Sequence, residues 1–212
     1  DRLCPRSVFH VDGVQGFMKI PFSIRKTSVD LYSFSAHKLH GPKGVAGLYV
    51  RNKNNLKELF QGGGQQFGLR SGTENVSGIM QFKKALELID EVSNFDKVKL
   101  LKHKFIETIS RESGIVSMDF GGSPYIENLV FLGVKGETML HALDEKGVIV
   151  GLGSACSAKK AGNRVLEVLG VPKDKIISSA RISFNAFQTV EDVEKAAEII
   201  VDVYRNIKGR VS

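Results

Sequence analysis

Lys38 and Asp12 are the residues of this sequence whose types and setting point most directly to chemistry. Lys38 closes the string SFSAHK (33–38), at the end of an apolar run that finishes in small and polar residues. Strand ends of this kind collect the ligand-binding groups of α/β folds. Asp12 and Gln15 follow a second apolar run, in FHVDGVQ (9–15). A lysine standing alone would ordinarily be a surface lysine, but an acid beside it meets the needs of a pyridoxal phosphate site. There the lysine amine condenses with the cofactor and is later freed to move protons, while the carboxylate keeps the ring nitrogen protonated so that it withdraws electrons from the substrate's α-carbon.

Two further residues could act on a substrate. Cys156 lies in a Gly/Ser/Ala-rich stretch after GVIVGLG (147–153). A lone cysteine is commonly a buried small hydrophobe, whereas these small, polar neighbours favour an accessible, reactive thiol, and Lys159, Lys160 or Arg164 nearby would favour its thiolate. Arg181, in SSARISF (178–184), carries a planar donor fork suited to a carboxylate; otherwise it is a surface arginine beside a strand. The Gly-rich GGGQQFG (62–68) has neither the dinucleotide-binding spacing nor the Gly-Lys-Ser/Thr ending of a phosphate loop.

The elements that must hold these residues can be read from pattern. VFHVDGV, VDLYSFSA and VAGLYV read as neighbouring strands, the last two separated by the turn Gly41-Pro42-Lys43-Gly44. QGGGQQFGLRSGTEN leads into a helix with an apolar face of Val76, Ile79, Phe82, Leu86 and Ile89. EVSNFDK (91–97) is expected to be the connection between two domains, with the change near Ser93 and a helix through Val98, Leu101, Phe105 and Ile109 after it. Beyond it, ENLVFLGV and GVIVGLG read as strands and ETMLHALDEKG as a helix stopped by Gly147. Thr189 with Asp192 forms a capping-box pattern for a closing helix whose face includes Val193, Ala197, Ile200 and Val203.

Composition excludes several classes. With 42% hydrophobic and 25% charged residues the chain is expected to fold. No apolar stretch approaches the roughly 20 residues of a membrane span, and the start lacks a signal-peptide pattern, so the cytosol is the expected compartment. Two cysteines, Cys4 and Cys156, are too few for a disulfide framework and lack zinc-site spacing. The net charge of +7 comes from scattered lysines such as Lys97, Lys99, Lys102 and Lys104, which read as a solvated helix face and not as a nucleic-acid surface. With no initiator Met and a strand-like run a few residues in, the chain is expected to begin in mid-domain.

Four strings, FHVDGVQ (9–15), SFSAHKLHGPKG (33–44), GLRSGTEN (68–75) and GSACSA (153–158), resemble in order the cysteine desulfurases, pyridoxal-phosphate enzymes of the class V aminotransferase group, and cover nearly the whole chain. The resemblance implies an α/β protein: residues 1–92 the C-terminal part of the large domain of a fold-type I pyridoxal-phosphate transferase, and 93–212 a smaller α+β C-terminal domain carrying the cysteine loop. It further implies that Lys38 carries pyridoxal 5'-phosphate covalently, Asp12 pairs with the ring nitrogen, Gln15 bonds the phenolic oxygen, and Ser35 and His37 hold the phosphate. Thr73, otherwise a helix cap, would reach the phosphate of a neighbouring subunit, making the site a property of a homodimer. Arg181 would bind the amino acid's α-carboxylate. Cys156 would take the sulfur of L-cysteine as a persulfide, leaving L-alanine, and pass it to an acceptor such as an iron-sulfur scaffold or a tRNA-thiolation protein.

The chain departs from that family in three respects. Roughly the first half of a typical member is absent, so the 212 residues alone are expected to have little activity. Gln66 and Phe67 stand where many relatives have an acid and a base, and Asn185 where a glycine is common. A selenocysteine lyase or another class V aminotransferase would share Lys38 and Asp12, and a non-catalytic dimerising or acceptor-binding module is the alternative of a different class.

Overall fold

The computed structural model describes residues 7–53, 56–153 and 164–211. The chain divides into two compact units, Asp1–Asn94 and Phe95–Ser212.

The first unit is built on a three-stranded sheet in the order β1 (His10–Asp12), β2 (Leu31–Ser35), β3 (Ala46–Val50). β1 and β2 run parallel with Asp12 opposite Ser33, and β2 and β3 run antiparallel with Ser35 opposite Ala46. β1 is shorter than VFHVDGV suggested, because after Asp12 the chain turns sharply: Gly16 and Phe17 both donate to the Gly13 carbonyl. Side chains alternate across a strand, so Tyr32 and Phe34 share one face. There Phe17 stacks on Phe34 at 4.3 Å, Phe22 stacks on Tyr32 at 5.4 Å, and Phe82 lies 6.0 Å from Phe34. His10, Asp12, Ser33 and Ser35 share the other face.

α1 (Val76–Glu87) begins at Asn75, whose side chain accepts the Gly78 amide at 3.1 Å, so the cap is Asn75 and not Thr73. The expected apolar face is half corrected. Phe82 is buried, and Leu86 and Ile89 pack on Ala36, Leu39 and Val45, but Val76 and Ile79 are exposed. The reason is Gly78, where a Cβ would sit 2.5 Å from Val45 Cγ2: the bare glycine is what approaches the core and turns Val76 and Ile79 away from it.

The division between the units falls within the expected segment EVSNFDK, but the helix expected to start after that segment already includes it. The segment forms the first turns of α2 (Glu91–Ile109), started by the Asp90 carboxylate accepting the Ser93 amide at 3.0 Å. The helix therefore runs across the division between the units.

In the second unit an antiparallel sheet β4 (Ile115–Ser117), β5 (Ile126–Phe131), β6 (Ser179–Ser183) packs against α2, α3 (Gly136–Asp144) and α6 (Val190–Val211). Short helices α4 (Arg164–Val168) and α5 (Lys173–Ile177) precede β6. Val98, Leu101, Phe105, Ile109, Val193, Ala197, Ile200 and Val203 are all buried in this core, as their spacing predicted. Gly147 ends α3's run at a φ of 77°, in the left-handed region that glycine adopts without strain. GVIVGLG, expected as a strand, makes only a single bridge between Gly151 and Arg181. Its three glycines disfavour a ladder, and Ile149 is 85% exposed, with no partner strand over it among the described residues.

Candidate active site

The parallel pair β1–β2 brings the first set of candidate residues together at one end. Asp12 is the last residue of β1 and Ser35 the last of β2, and a one-turn 3-10 helix, Ala36–Leu39, follows directly and carries His37 and Lys38. The turn is held from both sides: Ala36 and Leu39 are buried, the Ala36 amide bonds the Val45 carbonyl, and the Gly41 amide returns to the Ala36 carbonyl. Lys38 is thereby fixed at the carboxyl ends of parallel strands, the place where α/β sheets bind ligands.

Side-chain geometry orders the set further. The Ser35 hydroxyl and His37 Nδ1 are hydrogen-bonded at 2.7 Å, and the Ser35 side chain does not cap the turn's backbone. The bond fixes the ring's orientation. Asp12 Oδ1 accepts the Val14 amide at 3.1 Å, which holds the carboxylate in place and leaves Oδ2 without a hydrogen-bond partner among the described residues. Asp12, Gln15 and His37 are exposed, and Ser35 and Lys38 are half-buried.

Three neighbours were not singled out from sequence. His10 Nε2 bonds Ser33 Oγ at 3.2 Å on the face that carries Asp12. Tyr32 lies under the Asp12–Gly13 turn, its hydroxyl pushed to a higher pKa by burial first and then by the Glu91 and Asp12 carboxylates. Lys19, in the turn after β1, has its pKa lowered by burial first and then by the positive charge of Lys38. The alternation of His10 with Asp12 was a readable signal; the approach of Lys19 to Lys38 was not, because it depends on how tightly residues 13–20 turn.

The remaining candidates lie elsewhere in the chain. Thr73 is exposed, two residues before the cap of α1. Arg181 sits on β6, with Nη1 donating to the Gly153 carbonyl at 2.6 Å. Cys156 and Cys4 lie outside the described residues.

A lysine amine, a carboxylate with one oxygen unbonded among the described residues and a hydroxyl–imidazole pair are chemically suited to pyridoxal phosphate, which offers an aldehyde, a ring nitrogen and a phosphate.

Comparison with known proteins extends this picture. The family model described as aminotransferase class-V matches residues 4–196. The putative cysteine desulfurase IscS 1 of Bacillus subtilis is 37% identical over 211 residues, covering 95% of this chain and 55% of that protein. The mitochondrial cysteine desulfurase of Arabidopsis thaliana is 40% identical over 201 residues, 91% of this chain and 44% of that one. A solved NifS-like protein superposes with a TM-score of 0.81 at 32% identity, covering 94% of this chain and 53% of the other. The chain thus spans about half the length of the curated relatives it matches.

Proposed function

The chain belongs to the class V aminotransferases, and from that premise we propose that the full-length protein is a pyridoxal-phosphate-dependent cysteine desulfurase, converting L-cysteine to L-alanine and transferring the sulfur to Cys156. The observation that carries the reading is the convergence of Asp12, Ser35, His37 and Lys38 at the ends of two adjacent parallel strands. The likeness to cysteine desulfurases over nearly all of this chain supports it.

Each residue has a role set by its chemistry. When bound, the cofactor supplies an electron sink for the substrate's α-carbon. Lys38 would hold it through Nζ and, once released, take the α-proton on the same nitrogen. Asp12 Oδ2 would hold the ring N–H, with its carboxylate steadied by the Val14 amide on Oδ1. Ser35 and His37, already bonded to each other, would present a hydroxyl and an imidazole to the phosphate, while Gln15 would meet the phenolic oxygen. Arg181 would bind the substrate's carboxylate. The Cys156 thiolate would attack the substrate's sulfur. The carbon–sulfur bond breaks, the sulfur leaves as the outer atom of a Cys156 persulfide, and the carbon keeps the electron pair and gains a proton, giving alanine.

A second copy of the chain is the occupant we assign to the exposed apolar strip Val76, Ile79 and Met80 beside Thr73, which would place Thr73 at a neighbouring site. The persulfide would then pass to an acceptor such as an iron-sulfur scaffold or a tRNA-thiolation protein. No helix among the described residues is long and apolar enough to cross a membrane, and the cytosol is the compartment proposed.

The test uses the full-length protein. Borohydride reduction and peptide mapping should place the cofactor's mass on Lys38. Brief exposure to L-cysteine should add one reductant-removable sulfur to the Cys156 peptide, and Cys156→Ser should bind cofactor yet lose turnover. Sulfur found only on Cys4, or parental alanine formation by Cys156→Ser, would overturn the reading.

A further inference from the structure

Arg181 is tied to the segment that leads to Cys156 by more than its position on β6. Its backbone bonds Gly151 in both directions, Gly151 N–H to the Arg181 carbonyl at 2.9 Å and Arg181 N–H to the Gly151 carbonyl at 2.6 Å. Its side chain then folds back over the same segment, with Nη1 on the Gly153 carbonyl at 2.6 Å. The guanidinium can lie there because residue 151 is a glycine: a Cβ would stand 3.0 Å from Nη2 and 3.4 Å from Cζ. Only part of the fork is spent. Nε is buried and has no hydrogen-bond partner among the described residues, and a desolvated N–H without an acceptor is costly enough to favour an incoming oxygen.

We infer that Arg181 is a bridging residue, its Nε/Nη2 edge taking the substrate carboxylate while Nη1 stays on Gly153, so that one rigid group sets the position of the substrate relative to the chain three residues before Cys156. The inference rests on the desulfurase reading for the identity of the substrate. A guanidinium suits this double duty because its donors lie in one plane along separate edges, whereas the donors of an ammonium radiate from a single atom. Beyond binding, Arg181 is therefore a positioning residue for sulfur transfer.

Two measurements on the full-length holoenzyme test this. The first, made without substrate, is amide hydrogen exchange at Gly151, with the β5 amides of Leu129 and Val130 as the check on folding. Arg181→Lys should speed Gly151 exchange by about threefold or more while the β5 amides stay protected. Arg181→Met, with a stem and no donor, is run alongside, so that a folding loss in one variant leaves the other to decide. The second is persulfide formation on Cys156 as a function of L-cysteine. The lysine variant should show a raised KM and also at least about a fivefold slower rate at saturation, about 1 kcal/mol in the barrier. Parental exchange at Gly151 in a folded variant, or a raised KM with the saturating rate unchanged, would reduce Arg181 to a carboxylate ligand and overturn the bridge. A parent that forms no persulfide would instead sink the desulfurase reading and leave the exchange result standing by itself.

Discussion

At Gly13 a methyl group would run into the ring of Tyr32, which is 4% exposed and lies directly beneath the turn after Asp12. Gly13 also receives two turn bonds on its carbonyl and donates its amide to Ser33 across the strand pair at 2.9 Å. Gly13→Ala should therefore do two things at once: lower stability by about 1–3 kcal/mol through overpacking, and shift Asp12 from the position from which we propose it holds the cofactor. Denaturant midpoints and cofactor retention of the full-length protein measure the two effects. Tyr32→Leu in the same chain should restore both, since the collision is with the ring and not with the backbone. A Gly13→Ala protein with parental midpoint and retention would show that the turn has slack the packing does not reveal.

Among the elements, α6 carries a dependence on pH at its start. The Thr189 amide donates to Asp192 Oδ2 at 2.8 Å, and the Asp192 amide donates to the Thr189 hydroxyl at 3.1 Å, a reciprocal cap at the start of a 22-residue helix. The Thr189 backbone amide first, and its hydroxyl second, hold the Asp192 carboxyl below its ordinary value of 3.8. A depressed carboxyl favours the folded state above its unfolded value and loses that contribution as pH falls through the folded one. The cap's contribution should thus be intact above about pH 4 and disappear below it. Circular dichroism of the parent and of Asp192→Asn checks this: the two acid titrations should differ in slope below about pH 4 and run parallel above it. Identical slopes throughout would mean that the cap does not titrate as the bond pattern requires.

For the molecule as a whole, the second unit holds a charge in its interior. The Glu127 side chain is fully buried on β5, and its carboxylate meets the Lys102 ammonium of α2 at 2.9 Å, with Asp119 3.5 Å from the same nitrogen. Lys102 also donates to the Ile126 carbonyl at 3.3 Å. This pair ties the first helix of the unit to the middle strand of its sheet. Removing one partner strands the other, so Lys102→Met should cost about 3–5 kcal/mol, whereas Lys102→Met with Glu127→Leu should recover most of that loss. Urea unfolding followed on the second unit compares the three chains. A single variant as stable as the double would show that Glu127 finds water or another partner when Lys102 is gone.

How much of this was legible in the sequence follows from the range over which each feature is determined. Local patterns carried the helix through Val98, Leu101, Phe105 and Ile109, the Thr189–Asp192 cap, the stop at Gly147 and the order of the site strings, because periodicity, capping and turn chemistry act over a few residues. Pattern could not see that EVSNFDK is helical, since Asp90 starts it through one side-chain bond. Nor could it see that Gly78 rather than Val76 or Ile79 meets the core, since that depends on Val45 from another element. The same holds at the site. Lys38 and Asp12 were identifiable as residue types at strand ends, but the Ser35–His37 bond, the approach of Lys19 to Lys38 and the hold of Arg181 on Gly153 were decided only by folding. Chemistry resides in side-chain types, which the sequence spells out, whereas mutual distance depends on parallel pairing, tight turns and the space left by a missing Cβ, which only the tertiary structure settles.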